Sequence, residues 1–489
     1  MITQSQEKYR PLYHFTPQQG WINDPNGLVY FNDEYHLFFQ YHPDGTVWGP
    51  MHWGHAISSD LVNWQEQPIA LAPDEHGTIF SGSAVVDWHD TTGFFNGQSG
   101  LVAIFTHHDH NYKLDHIQQR QSLAYSHDAG RTWIKYEGNP VLEHDELIDF
   151  RDPKVFWHQE TARWIMILAC GQTVHLYGSP NLKEWTFLSE FGDGIGSHAG
   201  VWECPDLFPL MVDGDAATTK WVMLVSIGSS DDFIEGSRTQ YFMGEFDGVT
   251  FTPDDSSQEI RWLDYGRDHY AGVCWSDIPV EDGRRICIGW MSNWKYANLT
   301  PTEQWRGAMS IPREITLEQR AQGITLIQRP VQEINTMRSP IVTLENTTLA
   351  EVQAKLASLQ MDSYEIQITA DITSTFALQL RASSSQDQVT VVGYEGDASE
   401  VYIDRSHSGD HTFHQDFAGK HTAKVDHNLS TIELQIYVDR SSIEVFANDG
   451  QVAMTDLIFP DHDAQGLGIQ SPDQHLPLSS FHIYQFMSS

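Results

Sequence analysis

Short apolar runs bounded by turn residues recur along the chain up to about residue 320. Tyr35-His36-Leu37-Phe38-Phe39-Gln40-Tyr41, Leu101-Val102-Ala103-Ile104-Phe105, Trp164-Ile165-Met166-Ile167-Leu168-Ala169 and Trp221-Val222-Met223-Leu224-Val225-Ser226 each have strand length, and no strong amphipathic helical period interrupts them. A turn followed by an aromatic residue repeats. Ser59-Asp60-Leu61-Val62-Asn63-Trp64 returns as Ser126-His127-Asp128-Ala129-Gly130-Arg131-Thr132-Trp133, as Ser179-Pro180-Asn181-Leu182-Lys183-Glu184-Trp185 and, loosely, as Glu245-Phe246-Asp247-Gly248-Val249-Thr250-Phe251. Polar motifs keep a similar beat: Asp24, Ser81, Asp152, Glu203 and Asp268 are separated by 57, 71, 51 and 65 residues. Five motifs at blade-like spacing predict a five-bladed β-propeller, each motif opening the innermost strand of its blade. That arrangement brings residues distant in sequence to one end of a central channel.

Near Arg320 the pattern changes. Ile324 to Arg338 reads as a connecting segment punctuated by Pro330 and Pro340. Beyond it alternation is clean: Phe376, Leu378 and Leu380 face one way, and Ile432, Leu434, Ile436 and Val438 alternate with polar or aromatic partners. Ile443 to Val452 reads as a hairpin turning at Asp449-Gly450. Period-two strands at short spacing predict a β-sandwich. The chain is therefore expected to be all-β, with a propeller over residues 1–335 and a sandwich over 336–489.

Composition narrows the function. With 28 Lys plus Arg against 66 Asp plus Glu, the formal net charge is −38, spread along the chain rather than gathered in a tail. Such a surface repels nucleic acid and anionic membranes, so neither is expected as a partner. Cys170, Cys204, Cys274 and Cys287 form no Cys-x-x-Cys pair and too few bridges for a disulfide framework, which favours free thiols in a reducing compartment. No apolar run spans a membrane, and Met1 to Pro11 shows no signal-peptide pattern. The expectation is a cytoplasmic protein, or a secreted one if a leader was trimmed. His107-His108-Asp109-His110 with Asp115 and His116 offers metal-ligand types, but reads as a solvated loop.

Three stretches carry candidate chemistry. Trp21-Ile22-Asn23-Asp24-Pro25-Asn26-Gly27 sets a carboxylate between amides in a turn that opens onto a strand-like run. Phe150-Arg151-Asp152-Pro153 and Trp202-Glu203-Cys204-Pro205-Asp206 place further acids in the same kind of context. Any one of them alone reads equally well as a turn acid or a surface ion pair.

Taken in order, the three motifs resemble glycoside hydrolase family 32, the β-fructosidases. Trp48-Gly49-Pro50-Met51-His52-Trp53-Gly54-His55, Phe80-Ser81-Gly82-Ser83-Ala84-Val85 and Gly289-Trp290-Met291-Ser292-Asn293-Trp294 extend the resemblance over essentially the whole chain. The runs Asp264 to Ala271 and Trp305 to Glu314 look most like levanases, exo-inulinases and related invertases. The resemblance implies a retaining hydrolase that releases terminal fructosyl units from sucrose, fructo-oligosaccharides or fructans such as inulin and levan. It implies Asp24 as nucleophile, Glu203 as general acid/base and Asp152 as the group that grips ring hydroxyls. It also implies substrate contacts at Asn23, Gln40, Trp48, Phe80, Ser81, Arg151 and Trp290, with Trp294 and Asp268 in second rank, and no metal or organic cofactor. Read from the residues alone, Trp48 and Trp290 serve as well in a blade core. Glu203, between Trp202 and Cys204-Pro205, is expected in an apolar setting.

Competing readings stay open at this point. A sucrose-6-phosphate hydrolase needs a basic contact for the phosphate, for which Lys113, Lys295 and Arg267 are the candidates. A fructosyltransferase would use the same fructosyl-enzyme with a sugar acceptor. A non-catalytic sugar-binding propeller needs no triad of acids, and an inverting arabinanase would need carboxyls set wider apart. Homo-oligomerisation is left open.

Overall fold

The computed structural model describes residues 7–111, 116–254 and 259–487. Five strands, Gly20–Phe31, Thr78–Asp87, Phe150–His158, Trp202–Val212 and Tyr270–Cys274, pack side by side in a closed ring about one axis. Each begins an antiparallel sheet that runs outward, giving blades I to V of a β-propeller. The next strands outward are sandwiched between neighbouring blades. In Arg163–Cys170, Trp164, Met166 and Leu168 enter the core shared with blade II, while Ile165 and Ile167 enter the core shared with blade IV. Burial on both faces explains why such strands read as unbroken apolar runs.

The repeated turn has one structural meaning. In blades I to IV it joins the third strand to the outermost one. Asp60 accepts from the backbone N–H of Val62 and Asn63, Asn181 from Lys183 and Glu184, and Asp247 from Val249 and Thr250. Leu61, Ala129, Leu182 and Gly248 follow the capping residue in the left-handed region. Trp64, Trp133 and Trp185 each return an indole N–H to a carbonyl of the same turn. Blades I, III and IV thus close this corner with the same side-chain-to-backbone hydrogen bonds, and in blade II Asp128 accepts from the Thr132 N–H instead.

Blade V closes the ring. The short strand Trp305–Arg306 pairs in parallel with the start of blade I, Gly20 against Trp305 and Trp21 against Arg306. The reading of Ile324–Arg338 as a connector needs correction. Gly323–Pro330 is a strand paired along its full length with Arg313–Arg320, and only the turn Gln332–Met337 connects. Two sheets of six and five strands then stack as the sandwich around one apolar core. The Asp449-Gly450 turn lies in the expected hairpin, between Ser442–Ala447 and Val452–Leu457.

The two units are joined by buried charge. His14, in the segment ahead of blade I, lies between Asp439 (2.8 Å) and Glu444 (2.9 Å) of the sandwich. Arg313 of blade V joins Asp264 (2.9 Å) to Glu444 (2.6 Å). Arg405 of the sandwich holds Asp268 at 2.5 Å. Asp268 therefore does not open an inner strand on the axis, as its place in the beat implied. It serves the interface, and blade V presents Tyr270 instead.

Candidate active site

All five inner strands slip register against their neighbour at the motif. The slips fall between Ile22 and Pro25, Ile79 and Gly82, Arg151 and Lys154, Glu203 and Asp206, and Tyr270 and Val273. A bulge breaks strict alternation and re-aims side chains. Asn23 with Asp24, Phe80 with Ser81 and Arg151 with Asp152 are pairs of consecutive residues that line the same cavity. Asp152, Cys204 and Ala271 have φ of 64°, 45° and 52°, a left-handed backbone that non-glycine residues adopt at a cost of about 1–3 kcal/mol. Cross-blade bonds offset this: Asp152 N–H donates to Thr106 Oγ1 (3.1 Å), and Cys204 N–H donates to Asp152 Oδ2 (3.0 Å).

The cavity has a volume of about 300 Å3 and lies at one end of the ring. Asp24 is buried at its floor, where Asn23 Nδ2 (3.1 Å), Ser81 Oγ (2.7 Å) and Cys204 Sγ (3.3 Å) donate to its carboxylate. Burial and the Glu203 charge raise its pKa, and the three donors work against them. Asp152 is pushed up to about 7, chiefly by burial. Arg151 and the Cys204 N–H oppose that rise, while Glu203 and Asp24 add to it. Asp24 and Asp152 thus both lie above the ordinary carboxylate range, because burial outweighs the cation and the donors around them.

Glu203 does not have the apolar surroundings expected from its neighbours in sequence. Trp202 turns away into the core between blades III and IV. The carboxylate accepts from Arg151 Nη2 (2.7 Å) on one oxygen and from the Tyr270 hydroxyl on the other. Arg151 also reaches Asp149 at 2.5 Å. Burial disfavours the Arg151 charge, but Glu203, Asp152 and Asp149 outweigh it and hold the guanidinium protonated.

Asn23, Asp24, Gln40, Trp48, Phe80, Ser81, Arg151, Asp152 and Glu203 are brought together around this cavity. Gln40 is fixed by donating to Asn26 Oδ1 (2.8 Å). Trp290 is not among the lining residues. It is fully buried one layer behind, against Trp21 and Trp294, and Trp294 forms the wall. His108, Gln119, Asp149 and Tyr270 are contributors that the motifs did not single out for the site. The histidine cluster is not a loop, since His107, His108 and Asp109 belong to the strand Gly100–Asn111. His108 stacks on Phe80 with ring centroids 4.1 Å apart, and burial lowers its pKa to about 4. Asp115 and Lys113 lie outside the described residues. Among the described residues no group of three or more His, Cys, Asp or Glu side chains is placed to hold a metal.

The propeller axis thus ends in a cavity lined by Asp24, Asp152 and Glu203, acids from three different blades. The chain matches the glycosyl hydrolases family 32 N-terminal domain over residues 14–330 and the family 32 C-terminal domain over 333–485. It belongs to glycosyl hydrolase family 32. It is 48% identical to a levanase of Bacillus subtilis over 483 residues, 98% of this chain and 70% of that protein. The crystal structure of an exo-inulinase from Aspergillus awamori superposes with a TM-score of 0.87 at 37% identity, covering 99% of each chain. A β-fructofuranosidase from Schwanniomyces occidentalis complexed with fructosyl-erythritol gives 0.85 at 34% identity, covering 98% of each.

Proposed function

We propose that this chain is an exo-acting β-fructosidase that cleaves terminal fructofuranosyl units from fructans and sucrose with retention, Asp24 acting as nucleophile and Glu203 as general acid/base. The observation that carries the reading is the placement of Asp24 and Glu203 on blades I and IV, which are not neighbours in the ring. Both side chains line one cavity, so that two separate carboxyl groups are available there, as double displacement at one carbon requires. Asp24, held by three donors, is prepared as an anion to attack the anomeric carbon. Glu203 protonates the departing oxygen and then takes a proton from the attacking water. Its side chain is 21% exposed against 6% for Asp152, which gives it the access to solvent that proton exchange needs. Asp152 accepts sugar hydroxyls and faces the positive charge that develops on the ring.

Among the described residues, the basic candidates for a phosphate contact are engaged elsewhere. Arg267 is engaged by Glu235 (3.5 Å) and Lys295 by Asp416 (3.6 Å), and neither lines the cavity. The four cysteines are unpaired and buried, which fits the proposed reducing compartment. No helix among the described residues is long and apolar enough to cross a membrane. A division of the chain near residue 335 is supported by the turn Gln332–Met337 between the last blade strand and the first sandwich strand.

The test is product analysis over time on sucrose, sucrose-6-phosphate, inulin and levan, with Asp24→Ala and Glu203→Ala alongside. Free fructose from polymer ends is expected, with a loss of at least about 10³-fold in each variant. Activity confined to the phosphorylated disaccharide, or full rate in Asp24→Ala, would overturn the reading.

A further inference from the structure

Trp48 stands on the rim of the cavity, 44% exposed, with Phe80 edge-on at 6.1 Å. The loop that carries it lies between Glu34–His42 and His52–Ser58 and has no strand pairing of its own. It folds tightly over His42, whose Nδ1 lies 2.9 Å from Val47 O. A Cβ at Gly49 would stand 2.5 Å from that ring. Beyond this the loop is held from outside. The Trp48 N–H donates to Asn298 Oδ1 at 2.8 Å. Arg306 Nη1 donates to Thr46 O (2.7 Å) and Asn298 O (2.5 Å), and Nη2 donates to Thr300 O (2.7 Å) and Thr302 O (3.0 Å).

One guanidinium therefore gathers four carbonyls from two loops that belong to opposite sides of the ring closure. Arg306 is anchored by its own pairing with Trp21, two residues before Asn23. In a chain with 66 acids and 28 bases, a cation spent on carbonyls alone is notable, and no ion pair is seen for it among the described residues. Lysine cannot replace this fork, because one ammonium cannot span four acceptors in a plane.

We propose that Arg306, with Asn298, is the positioning residue for Trp48: it seats the loop that walls the catalytic cavity and so sets how tightly the sugar is held. The kinetic consequence rests on the fructosidase reading, whereas the clamp itself does not. Two measurements separate them. Steady-state kinetics on a fructo-oligosaccharide would compare wild type, Arg306→Lys, Trp48→Ala and the double variant. Arg306→Lys is expected to raise KM roughly fivefold or more with kcat within about twofold, and to add nothing further in the Trp48→Ala background. Hydrogen exchange in Arg306→Lys is expected to be at least about tenfold faster for the amides of residues 44–49, with the blade strands unchanged. Equal factors on KM in both backgrounds, or unchanged exchange in that loop, would overturn the proposal. If wild type cleaves no fructoside, the fructosidase reading falls and the exchange result alone decides the clamp.

Discussion

Replacing Arg313 with Met keeps a long side chain but removes a charge that is 1% exposed. Its Nη1 donates to Asp264 Oδ2 (2.9 Å) and Gln328 Oε1 (3.2 Å), and its Nη2 to Glu444 Oε2 and Thr455 Oγ1, both at 2.6 Å. Asp264 leads into the inner strand of blade V, and Glu444 and Thr455 face each other on adjacent sandwich strands. Burial pushes both carboxylates up, but Arg313 and further hydrogen bonds outweigh it, and both end below their ordinary range. Without the guanidinium, two buried carboxylates lose their common cation, at a cost of about 3–5 kcal/mol. At about 2 °C per kcal/mol for a large domain, that is a fall of roughly 6–10 °C in the unfolding midpoint at pH 7. The pH dependence has a definite sign. Depressed carboxylates stabilise above their unfolded values of about 4, and the contribution is lost as pH falls through the folded values. Thermal scans at one rate should therefore show variant and wild type converging toward acid pH. Because Arg313 does not line the cavity, kcat of the folded variant should stay within about threefold at 25 °C. A midpoint change under about 2 °C at pH 7, or one that does not shrink in acid, would refute the reasoning.

Ser81→Ala removes one of the three donors that oppose the upward push on Asp24, so the acidic limb of kcat/KM should move toward neutral, with roughly a tenfold loss on that limb. Ser83→Ala, which loses only a contact with the Val155 N–H, should leave the limb in place; coincident shifts would contradict the assignment. His14 is buried between two carboxylates; burial lowers its pKa, but their hydrogen bonds and charges prevail and raise it to about 9. Its stabilisation is complete below about pH 6.5 and lost as pH rises through about 9, so His14→Gln should flatten wild-type alkaline destabilisation over that window, and parallel curves would count against it. Gly450 has φ +86°, and a Cβ there would stand 1.8 Å from Gln328 O of blade V, so Gly450→Ala should cost about 2 kcal/mol or more, measured by denaturant midpoint. A midpoint equal to wild type would show that the hairpin can lift away from the blade.

Much of the architecture could be read along the chain because its signals are local. The turn that begins at Asp60, Asp128, Asn181 or Asp247 is closed by its own side-chain hydrogen bonds, so it repeats wherever the residues repeat. Apolar runs such as Trp164 to Ala169 mark strands buried on both faces. The strand near residue 324 carries no clear pattern of its own, because Ile324, Leu326 and Ile327 belong to a partly covered outer strand whose partner defines it. Asp268 kept the spacing of a site residue, but spacing cannot show that Arg405, 137 residues away, neutralises it.

The sequence by itself determined the strand content, the beat of five, the passage to a sandwich and the acids Asp24, Asp152 and Glu203. The strand content, the beat and the passage to a sandwich follow from periodicity and turn chemistry written in neighbouring residues, and the three acids from the resemblance of their motifs to a known family. Only the tertiary structure decided which side chains surround those acids. Bulges in every inner strand override alternation, and closing the ring sets Tyr270 and Arg151 on Glu203, Cys204 on Asp24, and Trp294 rather than Trp290 on the wall. Those contacts join different blades, so no local pattern encodes them; they exist because five sheets must pack around a single axis.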